Sequence, residues 1–269
     1  MPVSNDRFFL NKLVLVITLS FCFSFSVFVP SLVRAQEPPL PAASDANVTP
    51  TPRERTSVGT GFFITDGGYL VTSHHVIANS NEISVLLPGR RRVIATVVKF
   101  DVANDLALLK ISAITPFVFL SHSQGVPPGM DVVTMGYPHV GIQGFAPKIT
   151  RGIVNSSSGL RDDPGSFQFS AEVQKGNSGG PLMGPGGTVV GVVRSKLDAL
   201  KMSQNTQDLS QNVNYATKSA RLLEFLGPIQ GLPTTRPVDP EQPMRATRIY
   251  VETREAVVPV IAQNNTSRQ

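Results

Sequence analysis

Cysteine is all but missing from this chain. The one cysteine among 269 residues, Cys22, lies in an apolar stretch near the N-terminus. The body can therefore form no disulfide, no thiolate metal site and no thiol nucleophile. Tryptophan is absent, and only 16% of residues are charged. The charge that exists is weakly basic, 24 Lys and Arg against 19 Asp and Glu, formally +5. Arg7, Lys12 and Arg34 against Asp6 put +2 of that in the first 35 residues and leave about +3 for the rest. That is too little to argue for a nucleic-acid partner. Long helical periods are scarce as well, whereas Gly and Pro number 22 each and predict many turns. Imidazole chemistry must come from only four side chains, His74, His75, His122 and His139.

The N-terminus reads as an address. Arg7 and Lys12 precede the apolar run Leu13 to Val29, and Pro30 and "LVRAQ" end it. Val33 and Ala35 stand at the −3 and −1 positions of a cleavage before Gln36. This three-part layout predicts a secretory signal over residues 1–35. The competing reading is an uncleaved membrane anchor at residues 13–29, because the run is long for a signal core and slightly short of the roughly 20 residues that span a bilayer. Either way the remainder is expected to be exported, periplasmic or secreted, touching a membrane only through that segment. Residues 36–55 are Pro-rich, without an apolar period, and read as a linker.

From Thr56 onward, apolar runs of five to eight residues alternate with Gly, Pro, Asn and Asp. "SVGTGFFITDGGYLVTSHHVI" holds two such runs around Asp66-Gly67-Gly68, a hairpin signal. "EISVLLPGRRRVIATVVKFD" is another strand, turn and strand, in which Arg90, Arg91 and Arg92 read as a solvated strand edge rather than an anion site. The pattern predicts an all-β sandwich or barrel protein. Only Thr217 to Gly227 has a helical period, with Leu222, Leu223 and Leu226 on one stripe and a Gly-Pro stop. Ser112 to Gly129 is the expected connection between two β-rich halves, about 56–111 and 130–227. Residues 229–269 form a tail whose "ATRIYVETREAVVPVIAQ" could be one or two strands but is too short for a domain.

One stretch asks for chemistry. "QKGNSGGPL", Gln174 to Leu182, sets Ser178 among glycines. By itself that is a turn serine. A hydroxyl becomes a nucleophile only beside a base, and the base needs an orienting group. "VTSHHVI" puts two histidines where an apolar strand ends, and Asp105 opens the apolar strand "DLALLKI", with Asp101 and Asn104 as rivals. An Asp at a strand mouth is costly unless paired, which suits one accepting an N–H from a histidine.

The segments "GTGFFI…GYLVTSHHVI", "DLALLKI", "MGYP…ITRGIV" and "GNSGGPL", in that order, resemble the trypsin-like serine peptidases, closest to the bacterial high-temperature-requirement (HtrA/Deg) branch. The resemblance runs over residues 56–228. It implies a chymotrypsin-like double six-stranded β-barrel with a short C-terminal helix. It makes His75 the general base, Asp105 the orienting acid and Ser178 the nucleophile; strand ends alternate sides, so His74 is expected to face away. It makes the backbone N–H groups of Gly176 and Ser178 the oxyanion hole, with Asn177 between them. His75 and Asp105 would come from the first barrel and Ser178 from the second.

The implied activity is an exported serine endopeptidase acting through an acyl-enzyme on unfolded or flexible protein segments. It needs no cofactor and no metal. The alternative is a peptide-binding or chaperone-like protein that does not cut. The primary pocket is expected to be modest and apolar, lined by Val173, Val192 and Val193. Two departures from that branch stand out. About 40 residues follow the protease region, too few for the peptide-binding PDZ domain found there, and Glu172 and Lys175 add charge just ahead of the serine.

Overall fold

The computed structural model describes residues 55–122, 125–194, 212–227, 234–236 and 243–264. The expected signal or anchor, and the linker up to residue 54, lie outside these residues. Among the described residues no helix is long and apolar enough to cross a membrane.

The first half supplies β1 (Arg55–Phe63), β2 (Tyr69–Thr72), β3 (Glu82–Leu87), β4 (Arg91–Ile94), β5 (Thr96–Asp101) and β6 (Leu106–Lys110). A one-turn helix, α1 (His74–Ile77), follows β2. The Asp66-Gly67-Gly68 turn joins β1 to antiparallel β2, as the sequence predicts. β4 and β5 are one bent strand broken at Ala95, pairing with β3 at one end and β6 at the other. Arg92 lies on this exposed edge and pairs with Glu82 at 2.9 Å, so the arginine run is a solvated strand.

The second half contributes β7 (Leu120–Ser121), β8 (Asp131–Gly136), α2 (Val140–Gln143), β9 (Lys148–Ser156), β10 (Ser166–Phe169), β11 (Pro181–Met183), β12 (Val189–Val193), β13 (Asn214–Lys218) and α3 (Ser219–Leu226). Strands β11, β8, β9, β10, β13 and β12 run in that order, and a β11–β12 pairing closes them into a six-stranded barrel. β7 and the two-residue β14 (Thr235–Arg236) extend it in parallel from β12. Helix α3 buries Leu222 and Leu226 and stops at Gly227, whose φ of 54° closes the last turn.

The tail departs from expectation. Residues Ala246–Thr253 form a helix, α4, and Val257–Asn264 form a strand, β15. β15 does not extend the second barrel. It inserts antiparallel between β1 and β3 of the first, eight residue pairs with β1 and four with β3. The first sheet then runs β4, β3, β15, β1, β2, β6, β5. With β4 and β5 counted as one bent strand, it has six members. The first barrel is therefore not contained in residues 56–111, because its sixth strand comes from the other end of the chain. Alternation explains why "AVVPVIA" fits there. Val258, Val260 and Ala262 enter the first barrel's core with Val85, Leu109 and Phe63, while Ala256 and Val257 join a cluster shared with the second barrel. The sequence shows the strand pattern but not its partner, because pairing across some 200 residues leaves no local signal.

Candidate active site

The register of β2 against β6 sets Thr72 opposite Ala107. Three residues past Thr72 and two before Ala107 therefore meet at one mouth of the first barrel, and these are His75 and Asp105. The His75 ring Nδ1 lies 2.7 Å from Asp105 Oδ2, and the His75 backbone N–H donates to Oδ1 at 2.9 Å. The Asp105 carbonyl also accepts the His74 N–H at 3.2 Å. Asp105 adopts φ 54°, a left-handed conformation that Asp tolerates better than most side chains.

Burial would push the Asp105 carboxyl up, but the hydrogen bonds and charge of His75 outweigh it and hold it below the ordinary carboxylate value, with Ser73 a lesser contributor. A carboxylate only accepts, so Nδ1 must carry a proton, and in the neutral ring that tautomer leaves the lone pair on Nε2. A depressed carboxyl pKa stabilises the fold above the unfolded value near 3.9. That contribution is lost as pH falls through the lower folded value. Asp105→Asn should therefore flatten part of the acid-unfolding slope below about pH 4, read from stability against pH. A slope identical to the parent's would show that the pairing carries no stability.

The rivals resolve by geometry. Asp101 closes the turn ahead of β6, accepting from the Asn104 N–H at 3.0 Å and its side-chain amide at 2.6 Å. His74 stacks on Phe100, centroids 4.9 Å apart, away from Asp105. His122 and His139 are exposed.

Ser178 lies in the tight turn before β11, in the second barrel, and is 6% exposed. Its carbonyl accepts the Thr60 N–H of β1 at 2.9 Å, and the Gly179 N–H donates to the Val193 carbonyl at 2.8 Å. Gly179 has φ 82°, and a Cβ there would fall about 2.5 Å from the Ser73 nitrogen. The turn thus rests on the end of β2, which stops three residues before His75. Gly179 serves packing between barrels as well as conformation. At Gly176, with φ 109°, a Cβ would meet the Tyr137 carbonyl at 2.3 Å. No hydrogen bond joins the Ser178 hydroxyl to the His75 ring in this conformation.

The amides ahead of Ser178 are held from behind. The Lys175 carbonyl accepts the His139 N–H at 2.9 Å, and the Asn177 carbonyl accepts the Gly180 N–H at 2.9 Å. In a trans peptide the carbonyl and the next N–H point oppositely. Both bonds therefore turn the N–H groups of Gly176 and Ser178 the other way, and among the described residues neither has an acceptor. The Asn177 N–H is spent on Gln174 at 3.0 Å. The Asn177 side-chain oxygen is buried with no partner among the described residues.

Sequence reasoning missed Thr60. Its hydroxyl donates to the Gly176 carbonyl at 2.6 Å and accepts the Tyr137 N–H at 3.1 Å, and its own carbonyl accepts the Thr72 hydroxyl at 2.7 Å. One β1 residue so latches the first barrel to the serine turn. The only sequence trace is a Thr between two glycines in "GTG". Thr60→Val keeps the shape but strands a buried carbonyl and a buried N–H. It is expected to cost about 1–3 kcal/mol, measured by urea unfolding; an unchanged midpoint would show that the latch carries no energy.

The three valines expected at the primary pocket do not converge. Val173 and Val193 share one buried cluster with Phe167 and Phe169, whereas Val192 belongs to a different cluster with Leu108 and Leu120. Adjacent strand residues face opposite sides of a sheet, so Val192 and Val193 cannot line one cavity. Residues 195–211, which follow β12, lie outside the described residues.

Residues 59–192 match the trypsin-like peptidase domain family. This is a trypsin-like peptidase domain. The chain is 41% identical over 219 residues to the protein y4bJ of Sinorhizobium fredii, covering 78% of this chain and 35% of that one. It is 38% identical over 149 residues to a probable periplasmic serine endoprotease DegP-like of Marinomonas sp., covering 53% and 30%. The crystal structure of the serine endoprotease from Yersinia pestis superposes with a TM-score of 0.52 at 25% identity, covering 63% of this chain and 56% of that one. The chain spans about a third of the length of these two curated relatives. The trypsin-like domain places the structure among chymotrypsin-like double β-barrels.

Proposed function

We propose that the chain is an exported serine endopeptidase that cuts unfolded or flexible protein segments. In this reading Ser178 Oγ attacks the scissile carbonyl and His75 Nε2 takes its proton. Asp105 fixes the tautomer and steadies the imidazolium that forms. The N–H groups of Gly176 and Ser178 receive the oxyanion, and the amine leaves with the proton returned by His75. Water then attacks the Ser178 ester by the same route in reverse. Thr60 is a positioning residue that holds the turn from behind.

The observation that carries the reading is the Nδ1–Oδ2 bond of 2.7 Å at the barrel mouth on which the Ser178 turn is seated. Catalytic hydrogen bonds are often long or unaligned without substrate and tighten in the complex, so the missing Ser–His bond is compatible with this role. Export is supported by the N-terminal pattern and by the periplasmic description of the DegP-like relative.

Treating the purified chain with a fluorophosphonate and mapping the adduct tests the proposal. Labelling at Ser178 together with degradation of unfolded casein is expected. A chain that binds casein but neither labels nor cuts would be the non-cleaving binder instead.

A further inference from the structure

The Gly176–Ser178 turn has two flanks. On one, Gly179 and Gly180 are bonded to Val193 of β12. On the other opens a cleft of about 250 Å³ between β1 and α2, with Val58, His139, Val140, Ile142, Lys175 and Gly176 in its wall. A peptide lying across the turn, with its acyl portion along the β12 side, must send its leaving-group portion into this cleft. The cleft contains no carboxylate. Its one permanent charge is Lys175, which is exposed and, among the described residues, forms no ion pair. The Lys175 backbone is fixed by the His139 N–H, so its side chain leaves from a defined point beside the Gly176 amide. Tyr137, which also lines this cleft, forms part of a second groove, whose charged walls are Arg90, Arg254 and Glu255. The cationic bias thus continues away from the turn.

We propose that this cleft is the leaving-group-side subsite, and that Lys175 selects peptides carrying Asp or Glu within two residues after the cut. The proposal rests on the peptidase reading and adds a substrate class to it. An unpartnered ammonium in a half-open cleft attracts a carboxylate and repels Lys or Arg, and salt weakens both effects.

The test uses quenched peptides that differ only at the first two leaving-group positions, Glu, Ala or Lys. The full chain is expected to favour Glu over Lys in kcat/KM by about two- to fivefold at low salt, the scale of one half-exposed ion pair, with the ratio shrinking at high salt. In Lys175→Glu the ratio is expected to invert. A ratio near one, or one that Lys175→Glu leaves unchanged, overturns the proposal while leaving the peptidase reading intact. If no peptide is cut and Ser178 does not label, the peptidase reading fails. Anisotropy of fluorescent Glu and Lys peptides on the Ser178→Ala chain then still decides the subsite: tighter binding of the Glu peptide supports it, and equal or absent binding refutes it.

Discussion

Ser178→Ala is expected to abolish fluorophosphonate labelling and to lower turnover by about 10⁶, with the thermal unfolding midpoint little changed. The size follows from the chemistry. Without the hydroxyl no ester can form, and what remains is substrate binding and two aimed amides, which together exceed the water reaction by about 10³–10⁴. His75→Ala should cost about as much, because base and nucleophile act as a unit and their losses do not add. Asp105→Asn should cost about 10⁴. The Asp105 carboxylate holds the Nδ1 proton through a 2.7 Å bond, and an amide at that position can present its NH₂ instead and select the wrong tautomer. His74→Ala serves as the internal control, since its ring stacks on Phe100 and takes no part in the pairing. Steady-state kinetics on one peptide for all four variants makes the comparison. Full turnover in Ser178→Ala, or equal losses in His74→Ala and His75→Ala, would refute the assignment.

Removal of residues 246–269 is expected to unfold the first barrel, although every proposed catalytic residue is retained. Ile249, Val257, Val258 and Val260 are each no more than 1% exposed. Each buried side chain of this kind contributes about 1.5–3 kcal/mol, so the four amount to roughly 6–12 kcal/mol, as large as the whole stability of a typical domain. The deletion would also expose the edges of β1 and β3, which now pair with β15. The consequence reaches the site. Val260 and Pro259 lie opposite Gly59 and Thr60, and the Tyr137 hydroxyl donates to the Val257 carbonyl at 2.8 Å. The Thr60 hydroxyl, itself held by the Tyr137 N–H, is the side-chain contact that steadies Gly176. Circular dichroism and limited proteolysis of the truncated chain should show lost cooperativity, and a peptide spanning residues 243–269 should restore part of it. A truncated chain that unfolds cooperatively at the parent's midpoint would make the tail an accessory.

These outcomes divide along the line between local and distant information. His75 and Ser178 stand out in the sequence as candidates because each sits in a short segment whose residue types have few other uses: a histidine at a strand end, a serine cleared by glycines. The choice of Asp105 over Asp101 was legible in part. Both are acids near one strand mouth, and only the turn geometry shows Asp101 committed to Asn104. The pocket valines were misjudged because composition carries no facing, and a shift of one residue along β12 moves a side chain to the other face of the sheet.

By itself, the sequence determined the β-rich class, the hairpin turns, the solvated arginine edge and the residue types available for acyl transfer. These rest on patterns of two to ten neighbouring residues, where backbone preference and side-chain alternation act directly. Tertiary structure alone decided that the first barrel is finished by the last strand of the chain. It alone decided that Thr60 clasps the serine turn, and that one lysine faces an otherwise uncharged cleft. Each of these depends on bringing together residues more than 100 positions apart, and the free energy that selects such a meeting belongs to the assembled core rather than to any segment of it.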